Sequence, residues 1–512
     1  MFLPNRVVLA VTLFGVMGSS CFKPDFKIST QSTLGSGTEA SPSPSPSATA
    51  TPSPSPSPSA TATPSPSPSP SETPFALACN CDFYTNPTTR TFDGVTKGVQ
   101  PGQSICLRGG GPSYDQPISV GVMFTNLNGT ASQPILIKNC GSKFKVNYTG
   151  GSAPIEFSRV SFVRMTGYTF ADGSPGIETS GGNQGIKASR TSDIELDHMY
   201  ISNTTGIGVN VKTDPTCDVT TQRKTVDNPT GFVMNNVLLH HLKVENVGQE
   251  GFYVGNSHWR LGAPLTCSGV SVTVMEHDVN NAQIYDNVII NTGRDGIQLG
   301  SAVGGAVVTR NSINGVCSSL DFNYCASGIQ LNPGTIATVS RNVIVGNPAW
   351  GNWGIQTLAT GGTVIHDNLI VDPIFGGIMT KDSVIVPGTD QKIFNNTIIR
   401  PGRYGVDSVN SQDMPVIFYN NLIAGIHPGT NASYKYINKH ANTEFTDENN
   451  IYNDNLATIG FMNPAGGDYR LSSGSAAVNG GRTIDVSGVA IDLDGNPRVV
   501  GPKPDIGAYE RQ

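Results

Sequence analysis

Two short segments of the chain each place a carboxylic acid directly before a glycine. Glu250 stands in the segment 249–253, and Asp295 stands in the segment 294–298. If these segments lie side by side, the two carboxylates would be about 5 Å apart, which is the separation that retaining glycosidases use. Repulsion between the two charges should raise the pKa of one of them. We therefore predict Glu250 and Asp295 as a catalytic pair.

Basic and aromatic residues accompany this pair. Arg294 precedes Asp295, and His258 and Trp259 lie in the segment that follows Glu250. An elimination reaction would need a base to remove the proton beside a uronate carboxyl group and a cation to neutralise the carboxylate. The residues that suit these two tasks are Lys187, Lys381, His258 and Arg294. We predict Arg294 and His258 as further catalytic residues.

Two other interpretations of the pair stay open. Glu250 and Asp295 could hold Ca²⁺, which takes oxygen ligands. Arg294 could instead neutralise the pair in a structural network, and a carboxylate beside a turn glycine often only bonds the turn amides. Elsewhere no group of His and Cys residues has the spacing of metal ligands, so we predict no other metal site.

A short repeat must position these residues. Units with an apolar run directly after an Asn return along the C-terminal half of the chain, and these asparagines are Asn287, Asn311, Asn342, Asn368, Asn396, Asn421 and Asn450. The steps between them are 24 to 31 residues long. Such a period is typical of solenoids.

The repeat predicts an all-β, single-chain right-handed parallel β-helix with three short strands per coil. Alternating apolar residues would point into the coil and their polar neighbours out of it. Because one coil cannot bury its own apolar side, the coils must stack. A corner Asn can adopt left-handed backbone conformations and bond to the Asn above and below. His198 and His241 fall at the same corner, where we expect a structural role.

Three stretches of the chain resemble the bacterial right-handed parallel β-helix superfamily, which includes polysaccharide lyases, pectinases and epimerases. Residues 101–110 resemble its opening strand, residues 129–137 the start of its first full coil, and residues 492–510 the tail of secreted members. The resemblance covers roughly residues 79–512 and implies the fold. It assigns no catalytic residue, because the Asp clusters and the Gly-His-Gly signature of the polygalacturonase group are absent.

Aligning the coils on their glycines predicts one outward column of side chains. The second residue after each glycine is Lys187, Gly208, Tyr253, Gln298, Gln330, Gln356, Met379 and Asp407. Neighbouring members should lie about 4.8 Å apart, which is the strand spacing. Amides beside a Lys suit sugar hydroxyls, and Tyr253 could stack on a pyranose ring. The predicted substrate-binding residues are Lys187, Tyr253, Trp259, Gln298, Gln330 and Gln356. For Gln330 and Gln356, a polar ladder that only stabilises the solenoid is the alternative.

Two successive coils carry long insertions at one corner. Gly206 is 35 residues from His241, and Gly251 is 36 residues from Asn287, whereas the equivalent distance is 14 to 19 residues in other coils. Long insertions on a rigid scaffold are a common place for function. We expect these insertions to form a wall beside the column.

The nine cysteines divide into one candidate lipidation site, Cys21, and eight that can form disulfides. Each long insertion contains one cysteine, so we predict a Cys217–Cys267 disulfide that ties the wall together. Cys317 and Cys325 share a third insertion and should pair locally. The pairing of the remaining four is left open, and these are Cys79, Cys81, Cys106 and Cys140.

The N-terminus predicts export. Arg6 precedes an apolar run over residues 7–17, too short to span a bilayer and suited to a signal peptide of residues 1–20. Small residues before Cys21 resemble a lipoprotein cleavage site, although Gly18 replaces the usual aliphatic residue. Residues 21–74 contain Ser-Pro repeats and predict a disordered, semi-rigid stalk before the domain of residues 75–512. We expect a membrane-anchored lipoprotein at the cell surface or outer membrane, with full secretion as the alternative.

Composition narrows the functional class. Charged residues make up 14% of the chain, Gly is abundant with 59 residues, and the net charge is -6. This charge does not support nucleic-acid binding, which usually shows a basic face. We predict a monomeric polysaccharide-active protein that cleaves an extracellular glycan as a lyase or a glycosidase. The alternative is a non-catalytic, glycan-binding or adhesive surface protein.

Overall fold

The computed structural model describes residues 80–170, 172–318, 326–347, 352–358, 361–382, 389–410, 414–428 and 434–512. The predicted signal peptide, the whole predicted stalk with Cys21, and the residues Cys79 and Cys325 lie outside these residues. Within the described part of the chain, no helix is both long and apolar enough to cross a membrane.

Nearly all regular elements of the described residues are short β-strands. They are β1 Phe83–Tyr84, β2 Thr91–Asp93, β3 Ser104–Leu107, β4 Val122–Thr125, β5 Ile135–Asn139, β6 Phe144–Tyr148, β7 Ile155–Thr166, β8 Ile177–Gly181, β9 Ile186–Asp197, β10 Met199–Ser202, β11 Val209–Val211, β12 Val233–His240, β13 Lys243–Val247, β14 Phe252–Val254, β15 Ala263–Cys267, β16 Val270–Val274, β17 Asp278–Tyr285, β18 Val288–Thr292, β19 Ile297–Leu299, β20 Ala306–Thr309, β21 Ser312–Asn314, β22 Ala326–Leu331, β23 Ala337–Ser340, β24 Val343–Val345, β25 Asn352–Thr357, β26 Thr363–His366, β27 Leu369–Val371, β28 Gly376–Thr380, β29 Gln391–Phe394, β30 Thr397–Ile399, β31 Tyr404–Ser408, β32 Val416–Tyr419, β33 Leu422–Ala424, β34 Lys435–Lys439, β35 Phe445–Glu448, β36 Ile451–Asn453, β37 Phe461–Asn463 and β38 Asp468–Leu471. One short α-helix, α1, spans Gly94–Lys97, and 3₁₀ turns span Val219–Thr221, Leu456–Thr458 and Pro464–Gly466.

The strands wind into a parallel β-helix with three faces, as the repeat predicts. The first face runs from β11 through β14, β19, β22, β25, β28 and β31 to β34. The second runs from β12 through β17, β20, β23, β26, β29 and β32 to β35. The third runs from β6 to β36 in a separate sheet of 11 strands. Strands β7 and β9 bend at the corner and belong to both the first and the second face. A right-handed winding is the rule for parallel crossovers.

The core fills the inside of the coils. Along β19, Ile297 and Leu299 point inward and are fully buried, and Ile284 and Ile289 close the same coil from the other two faces. Each such side chain contributes roughly 1.5–3 kcal/mol of burial free energy. This stack therefore gives a rigid scaffold for the residues that face outward.

The predicted asparagine ladder is confirmed at one corner. Asn342 donates from Nδ2 to Asn368 Oδ1 at 2.9 Å, and its own Oδ1 accepts from the Nδ2 and the backbone N–H of Asn311 at 3.0 Å. The ladder runs through Asn287, Asn311, Asn342, Asn368, Asn396, Asn421 and Asn450.

The corner histidines lie one residue away from the predicted position. His198 and His241 have φ of 53° and precede the ladder column, which Met199 and Leu242 occupy in these coils. The left-handed backbone therefore belongs to the residue before each ladder asparagine, as at Asp286, whose φ is 55°.

Candidate functional site

The outward column that the glycines predict exists on the first face. Its members are Lys187, Asn210, Tyr253, Gln298, Gln330, Gln356, Met379 and Asp407. One predicted member was wrong, because Asn210 stands where Gly208 was expected. The glycine that aligns with Gly251 is Gly208 and not Gly206: a Cβ on Gly208 would lie 2.6 Å from the Gly251 carbonyl oxygen.

The two long insertions stand beside this column. They occupy residues 212–232, between β11 and β12, and residues 255–277, between β14 and β17; the second contains the antiparallel hairpin β15–β16. The predicted Cys217–Cys267 disulfide joins them and is confirmed. We call these two segments the insertion wall.

A cleft of about 230 Å³ opens between the column and the first insertion. Its lining residues are Gln184, Lys187, Ser189, Arg190, Asn210, Lys212, Thr213, Asp214, Thr216 and Thr221. Three of them, Lys187, Arg190 and Lys212, carry positive charge, and one, Asp214, carries negative charge. Arg190 Nη2 lies 2.6 Å from Asp218 Oδ2, and Lys212 Nζ lies 2.8 Å from Asp214 Oδ1. These three cations and two carboxylates leave a small excess of positive charge at the cleft, although the whole chain has a net charge of -6.

Lys212 links the cleft to the column. Its Nζ lies 4.6 Å from the ring centroid of Tyr253 and 2.8 Å from Asp214 Oδ1. Burial works to lower the pKa of Lys212, but Tyr253 and Asp214 outweigh that effect and the pKa is raised. The ammonium therefore stays charged, and cation–π contact holds it over the ring.

A hydrogen-bonded network lies next to Tyr253. Ser257 Oγ is 2.5 Å from the Tyr253 hydroxyl and accepts from Gln298 Nε2 and Asn332 Nδ2, both at 3.0 Å. Gln330 Nε2 donates to Asn332 Oδ1 at 3.1 Å. Burial raises the pKa of Tyr253, so the phenol stays protonated.

The three predicted binding glutamines are buried. Gln298 and Gln330 belong to this network, and Gln356 Oε1 accepts a hydrogen bond from Ser327 Oγ at 2.9 Å. Their assignment to substrate contact stays a prediction. Their burial and their protein partners favour the alternative of a stabilising polar ladder.

The predicted carboxylate pair is brought together, but below the surface. The Gly208 N–H donates to the Glu250 carbonyl and the Gly251 N–H donates to the Asp295 carbonyl, so both acids hold the same position on adjacent coils. Glu250 and Asp295 are 5% and 3% exposed. Burial, and then the nearby Glu250, raise the pKa of Asp295 well above its ordinary value. The expected repulsion is therefore present.

The partners of the pair favour a structural role. Ser327 donates its backbone N–H to Asp295 Oδ1 at 2.6 Å, and Arg294 Nη1 lies 3.5 Å from Glu250 Oε1. Both interactions lower the cost of a buried carboxylate, as the structural interpretation of Arg294 requires. No contact in the described residues places either acid at the cleft, and the Ca²⁺ interpretation stays a prediction.

His258 and Trp259 separate in the structure. The His258 side chain is 42% exposed, and its Nδ1 lies 3.6 Å from Glu276 Oε1. Trp259 is buried and donates from Nε1 to Asp278 Oδ1 at 2.9 Å, so it offers no open surface for a sugar ring. The burial of Trp259 and its bond to Asp278 favour a structural role, and its assignment to substrate binding stays a prediction.

Glu276 and Lys212 were missed in the sequence. Glu276 is buried, its Oε2 accepts the His258 N–H at 3.0 Å, and it raises the pKa of both Lys212 and Tyr253. The alternation of strand residues could have predicted Lys212 as an outward residue, because Lys212 lies two residues after Asn210 and therefore on the same side. The error at Gly208 hid that signal.

Two other predicted residues do not join the site. Lys381 follows β28, five coils from β11 and so about 24 Å away at the ordinary strand spacing.

Cys317 carries a free thiol, so the predicted Cys317–Cys325 disulfide is wrong; burial raises the pKa of this thiol to about 11. Cys325 itself lies outside the described residues. Of the cysteines left open, Cys81 pairs with Cys106, and Cys140 is also disulfide-bonded.

Comparisons with known proteins found similar solved structures only at low identity. No family model matches the chain, and no curated protein is significantly similar to it. A solved alginate lyase from Paenibacillus sp. str. FPU-7 is 18% identical, with 69% of this chain and all of that chain covered and a TM-score of 0.35. Pectate lyase Pel9A is 14% identical, with 82% and 90% covered and a TM-score of 0.39. A GH136 lacto-N-biosidase from Eubacterium ramulus is 14% identical, with 69% and 62% covered and a TM-score of 0.46. At such scores no residue or reaction carries over to this chain.

Proposed function

We propose that this protein binds an acidic, uronate-containing polysaccharide in the cleft beside the insertion wall and cleaves it by β-elimination. The observation that carries the proposal is the set of three cations, Lys187, Arg190 and Lys212, in one cleft along a column of polar side chains. Cations at that position would pair with the carboxylates of successive sugar units. The outward column would guide the chain across neighbouring coils.

The proposed elimination uses Lys212, which lines the cleft, Tyr253, whose ring Lys212 contacts, and His258, which follows the Tyr253 partner Ser257 in the chain. Lys212 would neutralise the uronate carboxylate and so acidify the adjacent C–H. His258, whose imidazole Glu276 orients, would accept the proton, since an imidazole can do so near neutral pH. The electron pair of the broken C–H bond would form a C=C bond as the glycosidic C–O bond breaks. The leaving oxygen would then take a proton from Tyr253 or from water.

A glycosidase mechanism on Glu250 and Asp295 is less well supported. Both carboxylates are buried and hydrogen-bonded or ion-paired to protein groups. The same observation favours a second candidate function, a non-catalytic glycan-binding protein, because the described residues offer no exposed carboxylate pair in the cleft. The cations would then bind an acidic chain without reaction.

One assay separates these functions. The purified protein is incubated with neutral and uronate-containing polysaccharides, with and without Ca²⁺, while new reducing ends and the ultraviolet absorbance of unsaturated uronate are followed. Reducing ends together with the absorbance support the lyase. Reducing ends alone contradict it and support a glycosidase. No product, with retention of an acidic polysaccharide on an affinity gel, supports the binding protein.

The setting that we propose is the cell surface. A signal peptide of residues 1–20 and an acylated Cys21 would anchor the chain, and the Ser-Pro stalk of residues 21–74 would hold the β-helix away from the membrane. Such an arrangement suits an enzyme or a binding protein that acts on an extracellular glycan.

A further inference from the structure

A group of carboxylates and imidazoles lies on the second face of the β-helix, one face away from the column. Asp197 in β9 and His240 in β12 are register partners on neighbouring coils, and Glu195 stands two residues before Asp197 on the same side of the strand. One ligand atom from each of the three lies within 4.8 Å of the others. Among the described residues, only these three form such a group.

We propose that Glu195, Asp197 and His240 bind a divalent transition-metal ion such as Zn²⁺. Zinc takes imidazole nitrogen and carboxylate oxygen ligands, often three from the protein with water in the remaining position. Calcium and magnesium instead take oxygen ligands, so the imidazole selects for a transition metal. This site does not depend on the proposed lyase activity.

The ring of His240 is held with one nitrogen toward the carboxylates. Its Nε2 lies 3.1 Å from Glu195 Oε1, while its Nδ1 lies 2.8 Å from His241 Nδ1. The ring also stacks on Tyr285, with the centroids 4.7 Å apart. Ligand histidines commonly have their second nitrogen fixed in this way by a neighbouring group. Nε2 is therefore the ligand atom of this site.

The Asp197 carboxylate is oriented by comparable partners. His198 Nδ1 lies 2.6 Å from Asp197 Oδ1, and Thr166 donates its hydroxyl to the same oxygen. The rings of His198 and His241 stack with their centroids 4.8 Å apart. Partners of both ligands thus pack against each other, which fixes the carboxylate and the imidazole relative to one another.

Arg164 now supplies the positive charge at this position. Its Nε lies 3.0 Å from Asp197 Oδ2 and 3.3 Å from Glu195 Oε1. The Arg164 side chain is 43% exposed, so it can turn toward solvent when an ion binds. A metal ion and the guanidinium would therefore compete for the same two carboxylates.

The bound ion would stabilise the part of the β-helix from which the insertion wall extends. Residues 212–232 leave the helix after β11 and return in β12, where His240 stands, while Glu195 and Asp197 stand in β9. The ion would join those two strands across the coil that carries the insertion. Glu195 and His240 are 45 residues apart, which is why the spacing of residues along the chain does not reveal the site.

Calorimetric titration of Zn²⁺ into the purified full-length protein, stripped with a chelator, tests the proposal. We expect one saturable site. Its affinity for Zn²⁺ should fall by at least about 10- to 100-fold in both His240→Ala and Glu195→Gln, because even the loss of a group that only orients a metal ligand costs that much. Glu195→Gln guards against misfolding of the buried His240 variant, because Glu195 is partly exposed. His440→Ala, at an exposed histidine, is the matched control and should bind as the parent does.

Arg164→Ala gives the opposite expectation. Removing the competing cation should tighten Zn²⁺ binding roughly tenfold. No saturable Zn²⁺ binding in the parent, or equal binding in Glu195→Gln and the parent, would overturn the proposal and leave an ion-pair network. Unchanged or weaker binding in Arg164→Ala would contradict an ion placed between the carboxylates that Arg164 contacts.

Discussion

Lys212 Nζ lies 4.6 Å from the centre of the Tyr253 ring, although the two residues come from adjacent coils and are 41 positions apart in the sequence. The contact joins the first insertion to the outward column of the first face. It holds an ammonium group at the edge of a cleft that Lys187 and Arg190 also line. A sugar chain that followed the column would pass this charge.

Lys212→Ala should weaken binding of uronate-containing polysaccharide by about 10- to 100-fold, since a hydrogen bond to a charged group contributes about 1.5–3 kcal/mol. Binding of neutral polysaccharide should not change. Affinity electrophoresis measures both. Lys503→Ala, at an exposed lysine of the C-terminal tail, is the control, and an equal loss in that variant would rule out a specific role for Lys212.

Removing the Cys217–Cys267 disulfide in Cys217→Ser/Cys267→Ser should loosen the insertion wall. A disulfide that closes a loop of this length stabilises by about 2–4 kcal/mol, so we expect faster proteolysis within residues 212–232 and 255–277 and weaker polysaccharide binding. Mass spectrometry of limited digests locates the cuts. Cys81→Ser/Cys106→Ser, at the N-terminal end of the β-helix, should leave binding unchanged.

The raised pKa of Asp295 predicts that the stability of the protein depends on pH. Because its pKa is raised in the folded state, the folded protein keeps a proton that the unfolded chain loses above about pH 4. The free energy of unfolding should therefore fall as pH rises from about 4 toward the raised pKa. Asp295→Asn has no proton to lose and should flatten this slope. Thermal unfolding between pH 4 and 8 measures it, with exposed Asp115→Asn as control.

The same Asp295→Asn variant, combined with Glu250→Gln, distinguishes the two roles of the carboxylate pair. If the pair is structural, the double variant should keep turnover and binding at the pH where it is folded. Lost turnover with retained binding would instead support the catalytic pair and contradict the elimination at Lys212 and His258. Initial rates on a substrate found in the polysaccharide panel decide the question.

Asn342→Ala should destabilise the β-helix strongly. It leaves the Asn311 backbone N–H without its acceptor and removes one of the two donors to Asn368 Oδ1. Each buried group left unpaired costs about 1–3 kcal/mol. Chemical denaturation followed by circular dichroism measures the change. Asn314→Ala, at an exposed strand position of a neighbouring coil, should change stability little; an equal effect would contradict the importance of the ladder.

Cys21→Ser tests the lipid anchor. If Cys21 is acylated, the parent protein should partition with membranes and incorporate labelled fatty acid, while the variant should do neither. Fractionation of cells that express each form measures this. A parent protein found wholly in the medium would support full secretion.

Local periodicity in the sequence determined the fold and the column. A three-strand coil needs only alternating apolar residues, a small residue at one corner and Asn at another, and all of these recur within one repeat. The same periodicity predicts that Tyr253 lies beside Gln298 and that Glu250 lies beside Asp295, as the structure has them. It failed once, at Gly206 and Gly208, because two glycines in one turn allow two registers.

Only the tertiary structure decided which of these side chains can meet a ligand. Trp259, Gln298 and Asp295 look outward or functional in the sequence, yet the insertions and the next coils cover them. Burial depends on the path that the long insertions take across the faces of the β-helix, and the repeat does not encode that path. Contacts across coils, such as Lys212 with Tyr253 or Glu195 with His240, depend on it in the same way, because their partners lie more than 40 residues apart.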